Sequence, residues 1–540
     1  MSIFARVRRL DTEKDPKILR QAITLLEHHN ETLAKTVARL ERELAEAKGA
    51  TPAELQRRLA LLEGQLARMQ KKIFGTSSER STTEATEATK SEEPKPRNGH
   101  GPTEQPELLT VPVVHDLDEA DKVCPKCGGG LEEMEGQFEE HTEVDVIPCR
   151  FVLKQHQRKK YRCRCGACIE TAPGPEKLIT GGRYSIGLAI HVAISKYCDH
   201  LPLERQVRMM GREGLSITSQ TLWDQIEALE QVIRSVRPRL LAHVLSHGVV
   251  GADETRWRML DGSSKTWFVW LLHVSTAVYY VIKDSRSKEV IAKLLEGFSG
   301  TLMCDGYAAY TALAKESAGR VVLAHCWSHV RRAYLEIQES FPAECGEIVA
   351  LINELFALDA MCPTGPPGDE ARRTIRDESS RQVVNDICAW FWKTAPLVLP
   401  STGLHEAIGY MVGAWKGLVL FLDDPTIPLD NNGSERAARG VVLGRKNHYG
   451  SKSLRGTQVA ATFYSLVESA KLCEVEPRFY LRVAVRAGLR GEQILLPHEV
   501  AAGLANGTLD PGAFDDGTEQ IVAAALAAAT QAAAPAAQVT

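Results

Sequence analysis

"HGVVGADETRWRML" (247–260) is the stretch on which the fold of this chain turns. Small and β-branched residues lead into Asp253, a pattern that predicts a short strand with the carboxylate at its end. Two more strand candidates follow with tight connections, "KTWFVWLLHVS" (265–275) and "AVYYVIKD" (277–284). The texture then alternates. A helical run (287–297) leads to the strand "GTLMCDGYAAY" (300–310), a helix (311–317) leads to the strand "RVVLAHCWSH" (320–329), and a last helix covers 329–339. Alternation places Trp257 and Trp267 in the core. Asp305 ends the apolar run of the fourth strand as Asp253 ends that of the first, so both are expected at a sheet edge.

The order β-β-β-α-β-α-β-α is that of a ribonuclease H-like fold, a mixed sheet with helices on its faces, whose first and fourth strands are neighbours. Asp253 and Asp305 then meet at one end of the sheet, where two carboxylates repel unless a cation joins them. A third carboxylate would complete a site for two Mg²⁺ or Mn²⁺ ions about 3.5–4 Å apart, the arrangement that activates a water or a 3′-hydroxyl for in-line attack on a phosphodiester. Glu254 points to the opposite face and fits poorly. Glu435 fits better. It lies in a helix-like run, "LDNNGSERAARGVVLGRKNHYGS" (429–451), close to Arg436, Arg439, Arg445, Lys446, Lys452 and Arg455. As a metal ligand it leaves those cations to hold DNA phosphates; the alternative is a surface pair with Arg439 at i,i+4. In "AHCWSHVRR" (324–332), Cys326-x-x-His329 has half the spacing of a metal site but no second half. Packing by Cys326 and Trp327, with His329, Arg331 and Arg332 toward DNA, is the preferred reading.

The rest of the chain is modular. At 540 residues it holds about three to four units. Its net charge of −4 hides local basic runs, at 436–455 and in "RFVLKQHQRKKYRCR" (150–164), where Lys159 and Lys160 are candidates for backbone phosphates. Residues 16–75 carry a coiled-coil seam: Leu19, Leu26, Leu33 and Leu40 on one position, Ile23, Asn30, Val37 and Leu44 on the other. Self-association is preferred over an intramolecular hairpin broken at "KGATP" (48–52). Residues 76–107 are Ser/Thr/Glu/Pro-rich and read as a linker. In 108–173, Cys124-x-x-Cys127 and Cys165-x-x-Cys168 give four thiolates at the spacing of one structural zinc, with Cys163 as an alternative ligand. The thirteen cysteines make no secreted disulfide framework. With no signal segment and no apolar run of about 18 residues, the chain is expected in the cytoplasm.

Residues 184–245 read as a helix, a Gly-containing turn and a second helix starting near Ser216 or Thr218. This is either a helix-turn-helix or a structural helix pair. The catalytic core then spans 247–340 and 426–465 around a helical insertion at 341–425. A helical region (466–510) and an acidic, then Ala-rich, tail (511–540) complete the chain.

Six stretches, in order over roughly residues 16–500, resemble the transposases of the IS66 insertion-sequence family: "KKIFGTSSER", "CPKCGG", "GADETRWRM", "CDGYAAY", "AHCWSHVRR" and, most specifically, "LDNNGSERAARGVVLGRKNHYGS". The resemblance implies a DDE transposase in the bacterial cytoplasm, at the nucleoid, with Asp253, Asp305 and Glu435 as its triad. It further implies an α-helical insertion before the glutamate, DNA ends and target DNA as partners, and small accessory proteins of the same element. The chain departs from the family where "LLPHEV" (495–500) stands in place of an "LLPW"-like block. Two other readings compete: a ribonuclease H-like nuclease that does not join strands, and a DNA-binding regulator without catalysis.

Overall fold

The computed structural model describes residues 151–162, 169–262, 265–363, 365–514 and 517. The coiled coil (16–75), the linker (76–107), the zinc-ligand candidates Cys124, Cys127, Cys163, Cys165 and Cys168, and the tail beyond 517 lie outside the described residues. The first described pair is antiparallel, β1 (Lys160–Arg162) with β2 (Ile169–Thr171), and brackets the second cysteine cluster.

Among the described residues, four helices precede the main sheet: α1 (Ile186–Tyr197), α2 (Leu203–Arg212), α3 (Ser219–Ile233) and α4 (Arg237–Leu245). Gly214, at φ +81°, makes the turn between α2 and α3. Thr218 caps α3 by accepting from the Thr221 N–H at 3.1 Å. α3 turns Leu222, Gln225, Ile226, Leu229, Glu230 and Ile233 inward. Its exposed positions carry Gln220, Asp224 and Gln231, and no basic residue.

The sheet follows in the order β3 (Val249–Trp257), β4 (Trp267–Val274), β5 (Ala277–Lys283), α5 (Lys288–Leu294), β6 (Gly300–Cys304), α6 (Ala308–Glu316), β7 (Val321–His325), α7 (Trp327–Leu335). Its strands lie β5-β4-β3-β6-β7; β3, β4 and β5 form an antiparallel meander, while β6 and β7 run parallel to β3. β4, paired on both edges, is buried continuously from Val269 to Leu272, as a strand covered on both faces must be.

Four helices come next, α8 (Pro342–Ala360), α9 (Asp369–Ile375), α10 (Arg381–Thr394) and α11 (Gly403–Leu418). Of these, α8, α10 and α11 build a second core with α7 and with Met303 and Ala324 of the sheet. Buried Arg376 ties this core together, donating to the carbonyls of Phe421 (2.8 Å), Asp424 (2.9 Å) and Ile427 (3.1 Å) and to Asp359 (2.8 Å). The chain then returns to the sheet through α12 (Asn432–His448) and α13 (Leu454–Leu472), and ends in α14 (Pro477–Leu489) and α15 (Pro497–Ala505). α13 is buried on nearly all sides. Its Ser465 and Ser469 hydroxyls accept from the Tyr280 and Val278 N–H groups at 3.0 and 2.9 Å, closing the outer edge of β5 against stray pairing.

One expectation needs correcting. Asp253 is not at the end of its strand: β3 continues to Trp257, paired with β4 throughout. What ends near Asp253 is the pairing with β6, whose last register pair is Gly251 with Met303.

Candidate active site

Past Gly251 one edge of β3 is released, and the segment around α12 takes it over. Thr301 N–H donates to Gly248 O on this edge at 2.8 Å, so alternation puts the backbone groups of Ala252, Glu254, Arg256, Arg258 and Leu260 there as well. The Ala252 carbonyl accepts from the buried Asn431 amide at 2.9 Å. The Glu254 N–H donates to the Asp253 carboxylate at 2.8 Å. The Arg256 carbonyl accepts from Arg445, whose guanidinium also reaches Thr255 Oγ1 at 3.2 Å. Finally Ser451 N–H donates to Arg258 O (3.1 Å), and Leu260 N–H to Ser451 O (2.8 Å). Residues 431–451 therefore dress one released strand edge from end to end, since unpaired backbone groups need partners.

This wrapping needs two close approaches. A Cβ on Gly251 would stand 2.4 Å from Ser434 Oγ, and one on Gly433 would stand 2.5 Å from the His273 ring. Only glycine at both positions lets the N-terminus of α12 sit against β3 and β4. The loop before α12 is knitted to the segment after β7: Trp327 N–H donates to Leu429 O (3.0 Å), Asn431 N–H to Cys326 Sγ (3.2 Å), and Ser328 Oγ to Asp430 Oδ2 (3.3 Å). Cys326 and Trp327 thus serve packing and positioning.

The register and the first turn of α12 place the three predicted carboxylates as follows. Asp253 and Asp305 each lie two residues past the Gly251–Met303 pair, so parallel register puts them side by side on one face. The Asp305 carboxylate accepts from Tyr307 N–H at 3.0 Å across Gly306, at φ +87°, and its carbonyl accepts from Tyr410 of α11 at 3.0 Å. Glu435, in the first turn of α12, follows Ser434 onto the same face. Burial, then the neighbouring Glu254 charge, push the Asp253 carboxyl up to about 7, with Asp305 and Glu435 adding to the rise against the Glu254 N–H bond. The Asp253 carboxylate is therefore within electrostatic reach of both Asp305 and Glu435. Glu254 faces away as expected, bonded by Tyr310 (2.6 Å) and Arg286 (2.5 Å).

Glu435 does not pair with Arg439 among the described residues. Its Oε1 lies 3.6 Å from His329 Nε2 and 3.8 Å from Arg332 on α7. That oxygen is buried and makes no hydrogen bond, as does His329 Nδ1. Among the described residues, no three His, Cys, Asp or Glu side chains are grouped so as to hold a metal ion as they stand. The donor chemistry nevertheless suits a hard divalent cation: three carboxylates, one raised by burial and by neighbouring charge and one with an unsatisfied buried oxygen.

The basic residues divide into two groups. Arg436, Arg439, Lys446 and Lys452 are exposed around α12, Lys159 and Lys160 are exposed at β1, and Arg332 is exposed beside Glu435. The others work within the fold. Arg445 holds β3 as above, and Arg331 donates to Asn353 on α8 at 2.5 Å. Arg455 bridges Glu227 (2.9 Å) and the buried Glu230 (2.5 Å) of α3. Asn431, Gly251 and Tyr410 had not been singled out from the sequence. For Asn431 a signal existed, "DNN" at a helix start, but it suggests a cap rather than a bond to a distant strand.

A family model for the zinc-finger binding domain of transposase IS66 matches residues 121–166, covering Cys124, Cys127, Cys163 and Cys165 and ending two residues short of Cys168. Three proteins of Sinorhizobium fredii are similar, each described as uncharacterized. y4jD is 30% identical over 68% of this chain and 74% of its own length. y4qI is 30% identical over 72% and 73%. y4hP is 27% identical over 66% and 69%. The model described as Transposase IS66 family matches residues 181–459, from before α1 into α13, with all three carboxylates inside. The chain belongs to the IS66 transposase family.

Proposed function

We propose that the protein is a DDE transposase that cleaves DNA at the ends of its own element and joins the freed 3′ ends to target DNA. On this reading the sheet is a ribonuclease H-like core, and Asp253, Asp305 and Glu435 are its metal-binding triad. The observation that carries the proposal is the dressing of the β3 edge by residues 431–451, which delivers Glu435 to the point where β3 and β6 part. Two Mg²⁺ or Mn²⁺ ions, when bound, would supply Lewis-acid activation of the attacking hydroxyl and charge stabilisation at the phosphodiester. Asp253 and Asp305 would present their oxygens from adjacent strands. Glu435 would turn from His329 and Arg332 to complete the set, leaving those two groups to face DNA. Exposed Arg436, Arg439, Lys446 and Lys452 would hold backbone phosphates, a term that weakens steeply with salt. Outside this core, a zinc module would bind one structural Zn²⁺ and support end recognition. The N-terminal heptads would pair protomers on two DNA ends.

The test uses pre-cleaved element-end DNA with target plasmid. Wild-type protein with Mg²⁺ should yield joined products. D253N, D305N and E435Q should each lose at least about 10³-fold, equivalent to about 4 kcal/mol, and still shift DNA in gels. Hydrolysis without joining would sink the transposase reading. Full activity in one variant would remove that residue from the triad.

A further inference from the structure

Resting on the transposase reading, we propose that a groove at the outer end of the β3–β4 hairpin binds the backbone of the DNA strand flanking the scissile phosphate, about three to five nucleotides away from it. The groove encloses about 700 Å³, within the range of ligand clefts. Among the described residues, Arg256, Arg258, Lys265 and Arg445 line it together with Trp257 and Met259, and no carboxylate does. Lys265 is neutralised by Asp284 at 2.6 Å. Arg445 is engaged with β3. Arg256 and Arg258 are exposed, and neither makes a side-chain hydrogen bond or ion pair among the described residues. Two exposed guanidiniums without a partner among the described residues suit phosphate oxygens, which a guanidinium can engage in pairs.

The spacing identifies the phosphates. β3 carries both Asp253 and these arginines, and a strand rises about 3.3 Å per residue. Arg256 therefore lies about 10 Å, and Arg258 about 16 Å, along the strand from Asp253. A DNA strand advances about 3.4 Å per nucleotide, so these distances match the third and fifth phosphates. Alternation sends Arg256 and Arg258 to the face opposite Asp253. Arg445, reaching across from α12, lines the same groove at the released edge of β3.

The experiment measures binding of the full chain, without added Mg²⁺ or Mn²⁺, to element-end duplexes whose flanks extend either about eight nucleotides or one nucleotide past the cleavage position. R256A/R258A should bind the long-flank duplex about 60-fold more weakly at 0.1 M salt, with a salt slope shallower by about 1.8. Its affinity for the short-flank duplex should match wild type, and R256K/R258K should recover the slope. Wild-type affinity for the long flank in the alanine variant would overturn the groove assignment, and so would an equal loss on both duplexes. A wild-type chain that bound neither duplex would instead overturn the transposase reading, and the groove with it.

Discussion

Replacing Gly251 with alanine would set a Cβ 2.4 Å from Ser434 Oγ and 3.1 Å from Asn431 Oδ1. Ordinary contact begins at 3.4 Å, so about 1 Å has to be found, either by turning Ser434 or by lifting the first turn of α12. Overpacking of this size costs about 1–3 kcal/mol, read as a drop of a few degrees in Tm. The effect on chemistry should be larger in proportion, because Glu435 follows Ser434 directly and a displacement of about 1 Å is worth about 10²-fold in rate. Ser434 supplies the control. Its hydroxyl is buried without a hydrogen-bond partner, so S434A should be neutral or slightly stabilising. It also removes the atom that clashes. G251A/S434A should therefore recover most of the Tm and end-cleavage rate lost in G251A, leaving a coupling of about 1–2 kcal/mol. Thermal unfolding of the four proteins closes the cycle. If G251A matched wild type, or S434A failed to rescue it, the close approach of α12 to β3 would not be what positions the glutamate.

Three other predictions use different parts of the molecule. R455A leaves buried Glu230 with only Thr462 (3.0 Å) of its partners and should cost about 2 kcal/mol, the usual 3–5 being discounted because Arg455 is partly exposed; R455M/E230M should unfold closer to wild type than R455A, and a double variant no better than the single would contradict this. Burial, then the Lys196 charge, hold His448 down at about 3, and burial with Arg436 holds His273 at about 4. Each takes up a proton near 6.5 only when unfolded, so stability is complete above that pH and lost as pH falls toward 3–4; Asp253, raised to about 7, acts oppositely, losing its contribution as pH rises through 7. The unfolding free energy from urea melts should therefore drop by at least about 1 kcal/mol from pH 7 to pH 5, and equal values would refute the neutral, buried histidines. Metal analysis of the full chain should find about one zinc, lost in C124S/C127S, and a zinc-free wild type would rule out the ribbon.

The sheet elements were legible because strands carry local signatures. "VVGAD", "WFVWLLHV" and "AVYYVIK" each announce a strand, and the order of strands and helices restricts which neighbours they find. The exact end of the first strand was not legible, since a carboxylate after an apolar run looks the same whether a strand stops or only loses one neighbour. The α2–α3 pair shows a similar limit. Its turn and cap were readable, but its role depends on burial: α3 spends Leu222, Ile226 and Leu229 on the core and keeps no basic face.

The sequence by itself determined the helix that carries Glu435 and the family, because these rest on residue types at short range and on their order along the chain. The partners of Glu435 were decided only by tertiary structure. On an isolated helix the neighbour at i,i+4 is Arg439, and charge alone favours that pair. In the fold, the free edge of β3 draws α12 down through Asn431, Arg445 and Ser451, and that contact turns Glu435 toward α7, where His329 and Arg332 stand. Backbone groups that must find partners set the orientation of the helix, and the orientation sets which charges meet.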